Sequence, residues 1–167
     1  MITQKNGFQI KTGYQNGLIG WITSLHGQHY AEPWKFGKFF ESKVARELSD
    51  FMENFQPLNS QIWSIAKEGD FFGSLTLDGS HAHKEGAHLR WFILDPALRG
   101  QGFGHLLLDT AIGFAKERQY PSIYLWTLEG LEPAGHLYRS CGFKLEKSAL
   151  QSQWGREIQE EKLRLIF

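Results

Sequence analysis

One stretch of the chain, Leu89–Asp109, constrains the fold more than any other. It reads LRWFILDPALRGQGFGHLLLD. The run before Pro96 is apolar and rich in β-forming residues, which predicts a buried strand, and the run after Gly104 has helical periodicity. Gly100 and Gly102 complete a set of alternating glycines between the two. A strand that turns into a helix through such a junction predicts a mixed α/β domain.

Hydrophobic periodicity extends this prediction along the chain. An alternating run over residues 7–14 predicts a first strand, and apolar spacing over residues 36–55 predicts an amphipathic helix. The full order is strand, two helices, β-hairpin, strand, helix, strand, helix and two final strands, with the first helix ending near Pro33 and DGSHAHKEG as a polar loop. We expect one domain over residues 1–167, with a partly antiparallel central sheet flanked by helices.

Composition narrows the classes of function. Lysine plus arginine and aspartate plus glutamate both number 18, so the formal charge is zero. This balance argues against nucleic acid or a membrane surface as the partner. Cys141 is the single cysteine, which suits a reducing compartment. The first residues lack the apolar core of a signal peptide, so we expect a cytoplasmic location.

The glycine turn predicts an anion site. The first N–H groups of a helix lack internal partners and carry partial positive charge, and glycines let a phosphate approach the backbone. Arg99 could add a charge-assisted contact. The alternative is a tight turn without a ligand. A Walker loop would need Lys followed by Ser or Thr, and a dinucleotide fingerprint would need a third glycine where His105 stands, so both fit poorly.

The same residues resemble the central motif of the GNAT acetyltransferase superfamily, [Q/R]-x-x-G-x-[G/A]. FILDPALRG resembles the strand and loop that precede the motif in that family, and LYRSCGF resembles its later helix. The resemblance implies acetyl-CoA as the cofactor. It also implies a set of cofactor-binding residues: Arg99, Gly100, Gln101, Gly102, Phe103 and Gly104 for the pyrophosphate, and Phe92, Ile93 and Leu94 for the pantetheine arm, which would pair as an extra strand.

YAEPW, DFMENF, IYLWT and LYRSCGF are similar to a narrower group, the acetyltransferase domain of MarR–GNAT fusion proteins. Leu128 stands where those domains often have Asn, and His136 stands where they often have Arg. These departures bear on the identity of the acceptor amine.

Two side chains are candidates for catalysis. Tyr138 precedes the G-F pair of the later helix, and its phenol can donate a proton or a hydrogen bond to the leaving thiolate; the alternative is a core tyrosine. Glu32 lies near the junction of the first two helices and could act as base or bind the substrate ammonium, although a surface glutamate is the simpler interpretation. A backbone N–H near Ile93 would bind the oxyanion. His88 could also act as base.

Aromatic residues offer a further candidate set. Trp21, Tyr30, Trp34 and Trp126 could line an acceptor pocket, although core packing is the ordinary role and is favoured for Trp63 and Trp126. His81 and His83 lie in a polar loop without a third ligand at metal-binding spacing, so no metal is expected. Cys141 is interpreted as a small core residue.

These observations lead to one main hypothesis and two alternatives. The main hypothesis is an N-acetyltransferase that moves an acetyl group to a primary amine on a small molecule, amino acid or protein, by direct transfer in a ternary complex. The alternatives are a non-catalytic acetyl-CoA or CoA sensor and another kind of nucleotide-binding protein. The C-terminal strand EEKLRLIF also offers an edge through which a homodimer could pair.

Overall fold

The computed structural model describes residues 4–167; the predicted domain begins in residues 1–3, which lie outside the described range. The described residues form eight strands and five α-helices. The strands are β1 (Gln4–Lys5), β2 (Phe8–Thr12), β3 (Gln61–Lys67), β4 (Asp70–Asp78), β5 (Ala87–Leu94), β6 (Ser122–Leu128), β7 (Lys144–Gln151) and β8 (Ile158–Ile166). The helices are α1 (Leu18–Trp34), α2 (Lys38–Glu53), α3 (Ala82–Glu85), α4 (Phe103–Glu117) and α5 (Glu132–Ser140).

All eight strands belong to one mixed sheet, in the order β1-β2-β3-β4-β5-β6-β8-β7. Every neighbouring pair is antiparallel except β5 and β6, which run parallel. This confirms the predicted mixed α/β fold with a partly antiparallel sheet flanked by helices. Within residues 4–167, no helix combines the length and the apolar character needed to cross a bilayer.

The helices cover the two faces of the sheet and bury two separate cores. Helices α1 and α2 cover one face, where their buried residues recur at helical spacing and pack with Trp91 and Leu128. Helix α4 covers the other face, where Leu107, Leu108 and Ala111 pack against the central strands. Burial of these apolar faces is the main force that fixes both layers.

The parallel pair β5–β6 is short, and this opens the sheet. The two strands pair only at Ala87 with Ile123 and at His88 with Tyr124. Beyond those positions β5 continues to Leu94 without pairing to β6. The centre of the sheet therefore splays into a gap at the carboxyl ends of the two parallel strands.

An irregularity in β5 lies at the start of that gap. The register between β4 and β5 shifts, with Ser74 opposite Ile93 but Thr76 opposite Arg90. Trp91, within the shift, has a positive φ of 47°. Such a bulge bends its strand and increases the local twist, which helps to turn the end of β5 away from β6.

Helix α1 includes Pro33 in its last turn and ends at Trp34, which confirms the predicted end near Pro33. The fold departs from the sequence prediction at three places. Strand β1 precedes the first predicted strand, and the predicted loop DGSHAHKEG contains the short helix α3. The C-terminal strand β8 is not an edge, because β6 and β7 pair with it on either side. A dimer that pairs through an edge of β8 is therefore excluded, and the edge strands of the described sheet are β1 and β7.

Candidate active site

A cavity of about 420 Å³ lies at the splay between β5 and β6. Its wall includes Tyr30 from α1, Val44 from α2, Phe92 from β5, Leu128 from β6 and Tyr138 from α5. The α1 and α2 residues place most of the cavity on their face of the sheet, and Tyr138 belongs to the core of the other face. The cavity therefore connects the two faces through the gap in the sheet.

The glycine turn stands at the beginning of α4. Gly100 and Gly102 have φ values of 72° and 76°, a left-handed conformation that glycine adopts without a Cβ penalty. The N–H of Leu106 donates to the carbonyl of Gly102 at 3.2 Å, which is the first hydrogen bond of the helix. The N–H groups of residues 103–105 precede that bond and emerge at the helix end, where they can bind an anion.

The third glycine of the motif has another role. Gly104 lies inside α4, where a Cβ would stand 2.9 Å from the Cδ2 atom of Leu137 in α5. A glycine here allows α4 and α5 to approach each other closely. Phe103 is fully buried in the core, so only its backbone N–H is available to a ligand.

Two cations lie beside the turn. Arg99 is exposed and its Nη2 lies 3.2 Å from Nδ1 of His29, whose pKa is lowered by burial and by the charge of Arg99. Lys5 places its Nζ 2.9 Å from the point that a Cβ on Gly102 would occupy, and the ammonium lies over the Phe103 ring at 5.1 Å. Sequence reasoning missed Lys5, because nothing in β1 links it to a turn so far along the chain.

The edge of β5 offers backbone groups to the gap. The N–H of Asp95 donates to the carbonyl of Phe72 in β4 at 2.8 Å. Backbone groups alternate sides along a strand, so the N–H of Ile93 also faces β4 and the N–H of Leu94 faces the gap. Leu94, rather than Ile93, therefore has the backbone donor available on the side of β6. Phe92 contributes its side chain to the cavity wall.

Tyr138 lies in the cavity wall with its ring 6.1 Å from Phe92 and 5.9 Å from Phe143. It is 7% exposed. Burial raises the pKa of Tyr138 well above its usual range, and Tyr30 acts in the same direction. Burial also raises the pKa of Tyr30 to about 12. Both phenols therefore stay protonated at neutral pH and can donate hydrogen bonds into the cavity.

The structure separates Glu32 from this cavity. Its side chain is 90% exposed and pairs with Lys35 at 2.8 Å on the outside of α1. Glu32 does not line the cavity. This position matches the simpler interpretation of a surface glutamate.

Several titratable groups do line the cavity. Glu47 accepts from Arg90 at 2.7 Å and pairs with Lys43. His88 stacks on Tyr124 with ring centroids 4.5 Å apart, and burial, helped by the charge of Arg90, lowers its pKa to about 3.

His26 donates a hydrogen bond from Nδ1–H to the carbonyl oxygen of Ile22 at 2.8 Å, since a carbonyl oxygen can only accept. Burial lowers the pKa of His26 to about 4. Both cavity histidines, His26 and His88, are therefore neutral at pH 7.

The predicted aromatic residues divide between wall and core. Tyr30 and Trp126 line the cavity, whereas Trp21 and Trp34 do not and pack against the α1–α2 core. Trp63 is 2% exposed and belongs to the core on the α4 face, as predicted. Trp126 lines the cavity, whereas the sequence analysis favoured core packing for this residue.

Comparison with known proteins agrees with this geometry. The model of the acetyltransferase (GNAT) family matches residues 16–143. The chain therefore belongs to the acetyltransferase (GNAT) family, which confirms the resemblance drawn from the glycine motif and the predicted class of protein. Human N-acetyltransferase 8B is 24% identical over 140 residues, which are 81% of this chain and 61% of that protein. The chain thus spans less than two thirds of this curated relative.

Two solved structures share the fold. An acetyltransferase from Salmonella typhimurium, solved with its cofactor acetyl-CoA, has a TM-score of 0.73 and 16% identity, with 96% of this chain and 94% of that chain covered. Spermidine N-acetyltransferase from Vibrio cholerae, solved with CoA and spermine, has a TM-score of 0.69 and 17% identity, with 97% and 96% covered. At these identities the likeness concerns the fold.

Proposed function

We propose that this chain transfers an acetyl group from acetyl-CoA to a primary amine by direct transfer in a ternary complex. The observation that carries the proposal is the gap between β5 and β6, which has the glycine turn at the end of β5 and the cavity between the same two strands. Direct transfer in a ternary complex needs such an arrangement, because the amine must reach the acetyl carbon while acetyl-CoA occupies its own site.

The residues around the glycine turn fit a CoA pyrophosphate. The N–H groups of residues 103–105 supply donors, and Lys5 and Arg99 supply positive charge. Gly100 has nothing within 4 Å of the point where a Cβ would stand, so the turn is open to a ligand. The free backbone edge of β5 at Phe92 and Leu94 fits a pantetheine arm that adds as a strand.

Acetyl-CoA would supply an acetyl thioester at the gap. In the reaction a C–N bond forms at the acetyl carbon, the C–S bond breaks, CoA leaves as its thiolate, and the proton of the amine passes to solvent water. The N–H of Leu94, on the side of β5 that faces the gap, would donate to the negative charge that develops on the carbonyl oxygen. Tyr138 donates a hydrogen bond to the leaving sulfur. Because a thiol has a pKa near 8.5 and the pKa of Tyr138 is raised, the hydrogen bond, not full proton transfer, is its role.

The position of Glu32 does not favour it as the base, because the side chain is exposed and paired outside the cavity. His88 and His26 are neutral but weakly basic at the lowered pKa values given above. The narrower resemblance to MarR–GNAT fusion proteins, a cytoplasmic location and a homodimer remain predictions.

Thermal unfolding with acetyl-CoA, CoA, NAD or ATP tests the cofactor. A ligand at 100 times its Kd adds about 2.7 kcal/mol of stability, which is roughly 5 to 10 °C in Tm for a domain of this size. We expect acetyl-CoA and CoA alone to raise Tm. An equal rise with NAD or ATP would contradict the proposal and favour another nucleotide-binding function.

Release of CoA thiol in the presence of an amine panel then separates enzyme from sensor. The enzyme hypothesis predicts amine-dependent release with multiple turnovers. A chain that binds acetyl-CoA tightly yet releases no more CoA with any amine than without one would instead be a sensor. Buffer without protein provides the rate of uncatalysed hydrolysis for comparison.

A further inference from the structure

A buried carboxylate faces the cavity from β8. Glu160 is 1% exposed, lies opposite Leu128 at the end of β6 and forms part of the cavity wall. Its Oε2 accepts from Nε2 of Gln153 at 2.6 Å. Its Oε1 has no hydrogen-bond partner within the described part of the chain. A buried carboxylate oxygen without a hydrogen bond costs free energy of folding. We therefore expect a group of a bound ligand to supply the missing partner of Oε1.

The surroundings of Glu160 act on its pKa in both directions. Burial raises the pKa of Glu160, whereas hydrogen bonding from the side chains of Gln153 and Trp154 and the charge of Lys43 lower it. Lys43 itself pairs with Glu47, and its ammonium lies over the Trp154 ring at 5.2 Å. Within the described residues no ion pair joins Lys43 to Glu160, so Oε1 is left to a cation from outside the chain.

Aromatic rings surround this part of the cavity. The ring of Trp154 lies 5.3 Å from that of Phe40, which in turn lies 5.2 Å from the ring of Tyr30. All three residues line the cavity. Aromatic faces attract cations and pack against apolar or ring-bearing groups, so the wall suits an organic ammonium better than an ion with a large polar shell.

The cavity offers little to an acceptor's carboxylate. Arg90 is the guanidinium in the wall, and it pairs with Glu47 at 2.7 Å and lies over the Trp91 ring at 4.0 Å. The two histidines in the wall are neutral at pH 7 because burial lowers their pKa values. An acceptor that carried a carboxylate would have to break the Arg90–Glu47 pair to neutralise it.

We propose that Glu160 binds the ammonium group of the acceptor, and that the acceptor is an amine with an apolar or ring-bearing body and no carboxylate beside its nitrogen. This inference rests on the proposed function, since it names the acceptor class of that same cavity.

The test compares three amines on three forms of the protein. The amines are phenethylamine, phenylalanine, which is the same body with a carboxylate, and spermidine, which carries several cations without a ring. The proteins are the wild type, Glu160→Gln and the control Glu161→Gln. Glu161 lies on the same strand, opposite Thr127, and does not line the cavity. The measurements are kcat and KM for each amine and the Kd for acetyl-CoA.

We expect wild type to use phenethylamine at least tenfold better in kcat/KM than either other amine. Glu160→Gln should raise the KM for phenethylamine about tenfold to a hundredfold, because a charge-assisted hydrogen bond is lost, and leave the Kd for acetyl-CoA unchanged. Glu161→Gln should behave as wild type. Circular dichroism and the unchanged acetyl-CoA Kd would show that Glu160→Gln is folded.

Preference for phenylalanine or spermidine, or an unchanged KM in Glu160→Gln, would overturn this inference while leaving the proposed function intact. Failure of wild type to bind acetyl-CoA, or binding without turnover of any amine, would instead overturn the proposed function itself. The acetyl-CoA Kd and the wild-type turnover, measured on the same samples, therefore distinguish the two failures.

Discussion

The two sides of the cavity are built in different ways. The side of the glycine turn comes from one continuous stretch, from Phe92 through the start of α4, and offers mainly backbone N–H groups. The α1–α2 side is built from side chains of α1, α2, β5, β6, β7 and β8, which are far apart in sequence, with Glu47, Arg90 and Glu160 as its charged members. A site made of backbone groups depends on the local conformation of the chain. A site made of side chains depends on the whole fold, and substitution of any one of those side chains alters it.

The largest expected effect concerns Tyr138, which stands where the two sides meet. Tyr138→Phe removes the donor to the leaving sulfur but keeps the ring contacts with Phe92 and Phe143. We expect kcat to fall about a hundredfold to a thousandfold, as for the loss of a donor to a developing negative charge. The Kd for acetyl-CoA should change less than twofold.

Tyr124→Phe is the matched control for that experiment, because Tyr124 does not line the cavity. Its kcat should equal that of wild type. If Tyr138→Phe retained wild-type kcat, Tyr138 would be a packing residue and the backbone side would carry the chemistry without it.

The second effect tests the backbone side alone. Gly100 has a positive φ and nothing within 4 Å of its missing Cβ, so Asp and Asn, which tolerate this conformation, fit equally well. Gly100→Asp places a negative charge in the glycine turn, and Gly100→Asn places a neutral side chain of the same shape there. We expect Asp to weaken acetyl-CoA binding about fiftyfold relative to Asn, as measured by titration calorimetry. Equal affinities for the two variants would mean that no phosphate lies at the turn.

The difference between a continuous backbone site and a site of distant side chains explains how much could be predicted from sequence. The position of the glycine turn could be predicted because the signals for strand, turn and helix are contiguous there and each follows from local chemistry. The motif assigned Gly104 to the anion site, whereas in the structure Gly104 allows α4 to pack closely against α5. The contact with Leu137 that requires this glycine cannot be deduced from the motif itself. The place of β8 between β6 and β7 was missed for a similar reason, since periodicity predicts a strand but not its neighbours.

The side-chain site was largely beyond sequence reasoning. The Arg90–Glu47 pair joins residues 43 positions apart, and no local pattern links them. Glu160 occurs in the charged run QEEK, where a buried glutamate cannot be told from its half-buried neighbours. Glu32 was considered as a base from its position near a helix junction, yet which way a helix turns a side chain depends on packing that the sequence does not display.

The third effect is the pH dependence of stability, which we expect to arise from the α1–α2 side of the cavity. Burial lowers the pKa of His26 to about 4, against 6.5 in the unfolded chain. The unfolded state therefore binds more protons below pH 6.5, so stability is fully present above that pH and is lost as the pH falls towards 4. From pH 7 to pH 5, His26 should account for about 2 kcal/mol of lost unfolding free energy.

Urea unfolding of His26→Gln at both pH values measures this contribution. The variant should lose about 2 kcal/mol less than wild type between pH 7 and pH 5. His136→Gln, in which an exposed histidine is removed, should retain the wild-type pH dependence. An unchanged slope in His26→Gln would show that the acid sensitivity comes from elsewhere, His88 being the next candidate.

The smallest expected effect concerns whether a side chain adds to the backbone groups that bind the cofactor at the glycine turn. Lys5 places its ammonium beside the Gly102 turn from β1, a segment that is distant in sequence. If the turn binds a pyrophosphate, Lys5→Ala should weaken acetyl-CoA binding about threefold at low salt and less at high salt, since screening shortens the reach of an exposed charge. Lys38→Ala removes an exposed lysine at the start of α2 and should have no effect. A salt-independent loss in Lys5→Ala would instead mean that Lys5 acts by packing over the Phe103 ring.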